Sequence, residues 1–103
     1  MDELKAKALI KIDTSRRQLK NLSLKIHSHP ELGFEEHLAS AWLTQYLEEA
    51  GFLIEPGICQ LPTAFRASYG NGRPAIAILA EYDALPQLGH ACGHNLIAGA
   101  AVG

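Results

Sequence analysis

The 103-residue sequence predicts an α/β fold in which helices pack on a partial mixed β-sheet. Residues 2–28 and 34–50 repeat apolar side chains every three or four positions, which is typical of amphipathic helices. Between residues 52 and 80 the apolar side chains instead alternate or form short continuous runs, which is typical of strands. Residues from 96 onward resemble the start of a third helix.

The helical stretches have a clear apolar face and recognisable ends. Leu38, Trp42 and Tyr46 are spaced four residues apart, so we expect them to share one face of the second helix, and we expect Trp42 and Tyr46 to lie in the core. Pro30 ends the first helix, because a proline disfavours helical backbone at the residue before it. Gly51 is a suitable residue to follow the second helix.

The strand-like stretches predict an incomplete sheet. Residues 52–54 and 63–69 read as short strands, and residues 75–80 are continuously apolar, which predicts a central strand buried on both faces. Such a strand needs helices on each side. The chain supplies few such helices, so we expect it to be part of a larger structure.

Composition and charge exclude several classes of protein. Hydrophobic residues make up 48% of the chain and charged residues 19%, as in one small globular domain, which argues against disorder. The net charge of -2 and the lack of a basic cluster argue against nucleic-acid binding. No stretch resembles a signal peptide or a membrane span, so we expect a cytoplasmic protein. Cys59 and Cys92 are too few for a disulfide framework, and a reducing compartment would leave Cys92 free to bind metal or react.

The strongest site signal is the polar loop at residues 81–94, which follows the apolar run. In open α/β sheets, ligands bind at the carboxyl ends of strands. Cys92 and His94 lie two residues apart, and a thiolate and a neutral imidazole are both good ligands for zinc-like metals. We therefore predict that Cys92 and His94 bind metal. Asp83 is our candidate for the carboxylate that orients a metal-bound histidine, and Glu81 lies beside it.

Other interpretations of these residues stay open. Cys92 could be a nucleophile activated by a neighbouring histidine, or a small buried cysteine with no chemical role. His90 could be a third ligand, a residue that supports the ligands without binding the metal, or a residue that faces the substrate. Asp83 could simply form a turn. His27 and His29 are best explained as part of a loop at a helix end.

Three stretches give the chain a specific family resemblance. They are residues 29–36 (HPELGFEE), 82–86 (YDALP) and 90–95 (HACGHN), in this order. The sequence resembles the N-terminal part of M20-type metal-dependent amidohydrolases. More narrowly, it is similar to the branch of aminoacylases, hippurate hydrolases, indole-acetyl-amino-acid hydrolases and aminobenzoyl-glutamate hydrolases. The resemblance covers nearly the whole chain.

The resemblance implies a zinc-peptidase-like catalytic domain of α/β type with two divalent metal ions, which could be zinc, manganese, cobalt or nickel. It implies that Cys92 and His94 are metal ligands and that Asp83 lies near the metals. Glu81 and Asn95 stand where many members have aspartate, which is most similar to the aminobenzoyl-glutamate hydrolases. The implied substrates are N-acyl amino acids, aryl-amide conjugates or small peptides, and the complete enzyme is expected to be a homodimer.

On this resemblance, residues 1–103 are the N-terminal portion of the catalytic domain. The remaining metal ligands, the general-base glutamate, the substrate-binding residues and an inserted dimerisation domain lie downstream in complete members. We therefore expect the chain alone to be inactive as a peptidase or amidohydrolase. The alternative is a non-catalytic interaction module, or a split or degraded gene product, that retains the first half of the fold.

Overall fold

The α/β class is confirmed by the computed structural model, which describes residues 2–103. In this part of the chain, four helices pack on a two-stranded antiparallel sheet. In chain order the elements are α1 (Glu3–Thr14), α2 (Arg16–Ser28), α3 (His37–Glu49), β1 (Leu53–Pro56), β2 (Phe65–Ser68) and α4 (His94–Val102), with a short 3₁₀ turn at Ile58–Gln60 between the strands.

The stretch predicted as one first helix forms two helices. Ser15, with φ −90° and ψ 1°, separates α1 from α2. Helix α1 buries no side chain, whereas α2 buries Leu22 and Ile26, so only α2 is held by packing. The apolar periodicity continued across Ser15 and therefore did not reveal the break. No helix in residues 2–103 is long and apolar enough to cross a membrane.

The core lies where α2, α3 and α4 meet. Ile26 and Leu43 are fully buried at its centre. Trp42 and Tyr46 pack against this centre, as predicted from their helical spacing, and are partly buried themselves. The remaining buried members of the core are Leu22, Ala39 and Ala98.

The sheet is a single antiparallel pair. Ile54 lies opposite Ala67, and Glu55 lies opposite Arg66. The Arg66 guanidinium forms an ion pair with Glu55 at 2.8 Å and lowers the pKa of its carboxyl group. Both side chains are largely exposed, so this pair adds little stability.

The prediction of a central strand at residues 75–80 was wrong for this chain. Ile76 and Leu79 are 87% and 90% exposed, and the stretch has no regular secondary structure. A strand needs a neighbour that accepts and donates its main-chain hydrogen bonds, and no segment of residues 2–103 pairs with this one. The predicted mixed sheet is therefore reduced to the β1–β2 pair in the part of the chain that the structure describes.

The segment before α4 is held against the start of α3. Ala84 donates a main-chain hydrogen bond of 2.7 Å to the carbonyl of Glu31 and forms a parallel bridge with Leu32. The Glu31 carboxylate in turn accepts 2.9 Å hydrogen bonds from the main-chain N–H groups of Leu38 and Ala39 at the start of α3. This arrangement caps α3 and fixes the position of the loop that carries the candidate site.

Candidate metal centre

His94 is the first residue of α4, and its imidazole is directed back toward the preceding loop. Gly93 precedes it with φ +77°, in the left-handed region that favours glycine, and this turn lets the chain enter the helix. The Nδ1 atom of His94 lies 2.8 Å from Oδ1 of Asp83 and 3.0 Å from the main-chain oxygen of Asp83. The contact spans eleven positions of sequence and joins α4 to the segment beside α3.

These two contacts determine the tautomer of His94. A main-chain carbonyl oxygen can only accept a hydrogen bond, so Nδ1 must carry the hydrogen and donate it. In the neutral imidazole, Nε2 then carries a lone pair and no hydrogen. Metal-bound histidines in proteins usually have this arrangement, with the second ring nitrogen donating to a carboxylate or a carbonyl. The imidazole of His94 thus presents Nε2 as a ligand atom.

Tyr82 holds the two acidic residues of the loop in place. Its ring stacks on Phe65 at a centroid distance of 6.1 Å, and its hydroxyl donates to the carbonyl oxygen of Thr63. Burial raises the pKa of the Tyr82 hydroxyl, so it stays protonated and keeps its donor role. Since Tyr82 packs against the core, the side chains of Glu81 and Asp83 on either side of it both reach His94.

Glu81 lies on the other side of the imidazole from Asp83. Its Oε1 atom is 3.7 Å from Nε2 of His94, and the side chain is about half exposed. Glu81 and Asp83 also line a shallow pocket, together with Glu36, Phe34 and others. No lysine or arginine lines this pocket, and within residues 2–103 none pairs with Glu81 or Asp83, so the region carries a concentrated negative charge.

The Cys92 thiol is exposed, two residues before His94. Among residues 2–103, no three histidine, cysteine, aspartate or glutamate side chains converge as a metal site. The assignment of Cys92 and His94 as ligands therefore stays a prediction. The structure brings together His94, Asp83 and Glu81, and Cys92 lies in the exposed turn that leads into α4.

His90 is buried in the same loop, with 9% of its surface exposed. Neither ring nitrogen has a hydrogen-bond partner in the described part of the chain. Burial lowers the pKa of His90, and the neighbouring His27 and His94 lower it further, which favours the neutral imidazole. The ring centroids of His90 and His27 lie 6.3 Å apart. The loop sequence alone did not indicate that His90 would be buried.

The second polar cluster has a structural role, in agreement with its interpretation as a helix end. Nδ1 of His29 donates to the carbonyl of Lys25 at 2.8 Å, and its ring contacts the edge of Trp42. Glu31 caps α3 through its side chain. This capping role was not predicted from the sequence, because the partners lie seven and eight residues away.

The chain is similar to several curated hydrolases. It is 45% identical to a Xaa-Arg dipeptidase of Mus musculus over 95% of this chain and 25% of the relative. It is 38% identical to a p-aminobenzoyl-glutamate hydrolase chain of Escherichia coli over 87% of this chain and 22% of the relative. It is 29% identical to an N-acetyl-L-cysteine deacetylase of Bacillus subtilis over 91% of this chain and 26% of the relative. No family model matches the chain.

By its sequence, the chain is homologous to the M20-type amidohydrolases. The resemblance inferred from the three sequence stretches is thereby confirmed. The chain spans about a quarter of the length of the curated relatives it matches. These relatives are named as hydrolases of dipeptides, of p-aminobenzoyl-glutamate and of an N-acetylated amino acid.

Asn95, the last residue of the HACGHN stretch, links two helices in this structure. It is 5% exposed, and its Nδ2 atom donates to Oγ of Ser23 at 3.1 Å and to the main-chain oxygen of Ser23 at 3.4 Å. The hydrogen bonds fasten α4 to α2. Because the two residues are 72 positions apart, no local sequence pattern indicated this contact.

M20-type hydrolases generally use divalent metal ions, and the donor atoms of this loop suit such ions. In its neutral form His94 presents a nitrogen with a lone pair, Cys92 presents an exposed thiol, and the two acidic residues present carboxylate oxygens. Nitrogen, sulfur and oxygen ligands of this kind bind zinc, manganese, cobalt and nickel. The residues present therefore fit the ion that the family uses.

Proposed function

We propose that residues 1–103 form the N-terminal portion of an M20-type catalytic domain, in a protein that hydrolyses amide bonds. The proposed substrates are N-acyl amino acids, aryl-amide conjugates and small peptides. One observation carries the proposal: Asp83 accepts the Nδ1 hydrogen of His94 and leaves Nε2 free to bind a metal ion. The similarity to a dipeptidase and to two other amide hydrolases supports the reaction class.

In this proposal, the residues of the chain hold and orient part of the metal centre. His94 contributes Nε2, Cys92 contributes its thiolate, and Asp83 fixes the tautomer and the angle of the imidazole. The divalent ions, when bound, lower the pKa of a water molecule and polarise the carbonyl of the amide that is cleaved. Tyr82 keeps the loop against the core, so that the ligand atoms hold their positions during the reaction.

Other parts of the mechanism require residues beyond this chain. Two or three ligands do not complete a dinuclear site, and a carboxylate must accept the proton of the attacking water and transfer it to the leaving amine. We propose that both come from the rest of the catalytic domain, and that residues 1–103 alone are inactive. We further propose a homodimeric, cytoplasmic enzyme with two zinc, manganese, cobalt or nickel ions and with no nucleic-acid or membrane partner.

The test uses the protein expressed from the full reading frame that contains residues 1–103. We expect metal-dependent hydrolysis of at least one substrate among N-acetyl amino acids, aminobenzoyl-glutamate and Xaa-Arg dipeptides, and we expect a chelator to abolish it. Cys92→Ala and His94→Ala should each lower the bound metal, measured by elemental analysis, whereas Cys59→Ala should not. Unchanged metal content in both site variants, or no hydrolysis of any amide, would contradict the proposal.

A second candidate, a non-catalytic interaction module, is favoured by one observation. Ile76, Ile78 and Leu79 are exposed side by side in a stretch without a strand partner, and exposed apolar clusters often contact another polypeptide. The two candidates predict different coding sequences after Gly103. A coding sequence that continues in frame with further histidines and a Glu-Glu pair supports the enzyme, whereas a stop codon supports the module.

A further inference from the structure

Glu81 faces the one ring nitrogen of His94 that has no hydrogen bond. The distance from its Oε1 to Nε2 of His94 is 3.7 Å, which is too long for a hydrogen bond. Within the described residues, the Glu81 side chain makes no other ion pair or hydrogen bond. Its carboxylate is therefore held near the imidazole without a donor that would satisfy it.

The tautomer of His94 determines which atom Glu81 faces. Because Nδ1 donates to Asp83, the neutral imidazole directs a lone pair from Nε2 toward the Glu81 side. In this neutral form a lone pair and a carboxylate oxygen face each other. Two such acceptors repel unless a proton or a metal ion lies between them, and no lysine or arginine of residues 2–103 takes that place.

The spacing of the two atoms suits a shared metal ion. Ligands that lie about 2.0–2.2 Å from one ion are roughly 2.8–3.6 Å apart at octahedral and tetrahedral angles. The observed 3.7 Å lies just above this range. The Glu81 side chain is 53% exposed and the His94 side chain is 21% exposed, so Glu81 is free to close the small difference.

We propose that Glu81 is itself a metal ligand, which shares one divalent ion with Nε2 of His94. This inference rests on the proposed function, because it uses His94 as a metal ligand, and it adds a residue that was not predicted as a ligand from the sequence. A carboxylate oxygen suits manganese, whereas the thiolate of Cys92 suits zinc. Glu81 therefore shifts the preference of the site toward manganese.

The experiment measures metal binding by the protein expressed from the full reading frame that contains residues 1–103. Metal-free protein is titrated with manganese, cobalt and zinc salts in a calorimeter, for the wild type, Glu81→Gln, Glu81→Asp and the exposed control Glu48→Gln. Removing a residue that only supports a ligand costs about 10–100-fold in affinity. For Glu81→Gln we expect a loss at least this large with manganese and a smaller loss with zinc. Glu81→Asp should retain part of the affinity, and Glu48→Gln should match the wild type.

A second readout separates this inference from the proposed function. A thiolate bound to cobalt gives an ultraviolet charge-transfer band, so we expect a band in the cobalt-bound protein that Cys92→Ala removes and Glu81→Gln retains. If Glu81→Gln binds every metal as the wild type does, while His94→Ala loses binding, Glu81 is not a ligand and the proposed function stands. If the protein expressed from the full reading frame binds no metal, both ideas are contradicted. Circular dichroism spectra that match the wild type show that each variant is folded.

Discussion

Oδ1 of Asp83 and Nδ1 of His94 lie 2.8 Å apart, and this hydrogen bond ties the start of α4 to the loop segment beside α3. The hydrogen bond forms within the chain itself and needs no other subunit or ion. The imidazole is therefore oriented before a metal ion binds, which reduces the conformational entropy lost on binding.

Replacing Asp83 tests this orientation. Asp83→Asn removes the charge and weakens the acceptor for the Nδ1 hydrogen, so the imidazole is less firmly held in the tautomer that binds metal. We expect the metal affinity of the protein expressed from the full reading frame to fall by about 10–100-fold, with the fold retained. Calorimetric titration with cobalt measures the effect. Asp13→Asn, which breaks only an exposed ion pair with Arg16, is the control; equal affinities of the two variants would contradict the role of Asp83.

Replacing Asn95 tests the link between α4 and α2. Asn95→Ala removes the donor to Ser23 from a buried position, and losing a buried hydrogen bond costs about 1–3 kcal/mol of unfolding free energy. Urea unfolding followed by circular dichroism measures this change. Asn71 is exposed in a segment without regular secondary structure, so Asn71→Ala should change the unfolding free energy by less than about 0.5 kcal/mol. Equal effects of the two variants would show that the link does not stabilise the fold.

The pH dependence of stability tests the burial of His90. Its pKa in the folded chain is lowered from 6.5 by burial, so just below pH 6.5 the unfolded chain binds more protons than the folded chain. Stability should therefore fall as the pH decreases from 6.5 toward the lowered pKa, and this residue should add no pH dependence well above 6.5. Thermal unfolding of metal-free protein across this pH range measures the change in stability.

Two variants complete the pH experiment. His90→Leu should flatten the dependence, because it removes the titrating group and neither ring nitrogen had a hydrogen bond to lose. His37→Leu changes an exposed histidine and should leave the dependence as in the wild type. A wild-type stability that does not change with pH below 6.5 would argue that His90 is accessible to water.

The exposed apolar residues at positions 76, 78 and 79 lead to a prediction about association. An unpaired apolar segment with high β-propensity promotes pairing with other chains. We expect residues 1–103 to self-associate as the concentration rises, and we expect Ile78→Lys to reduce this in sedimentation-velocity measurements. Ile10 is also exposed but lies on helix α1, so Ile10→Lys should have little effect. A chain that stays monomeric at every concentration would contradict the prediction.

Local signals in the sequence predicted the elements that are stabilised locally. Helical periodicity correctly placed Trp42 and Tyr46 against the core. Leu38, on the same predicted face, is 44% exposed, and the buried residues of α3 are Ala39, Leu43 and Leu47. Pro30 marked the end of α2, because its steric effect acts on the residue before it. The loop composition also drew attention to Asp83 and His94, which the structure places in contact.

Features that depend on contacts between residues far apart in the sequence were not predicted. The apolar run at residues 75–80 predicted a buried strand, but a strand forms only where a second segment supplies hydrogen bonds, and the run carries no information about that segment. The link from Asn95 to Ser23 and the position of Glu81 opposite Nε2 of His94 both result from how α4 packs, which no local pattern encodes.

The packing of Tyr82 also favours one register of the segment that contains Glu81 and Asp83. The side chains of Glu81 and Asp83 point away from the core because Tyr82, between them, points into it. A slip of one residue in this segment would expose the aromatic ring and bury a carboxylate in its place. The large cost of burying an unpaired charge makes the slipped arrangement unstable, so packing selects the register in which both carboxylates reach the imidazole.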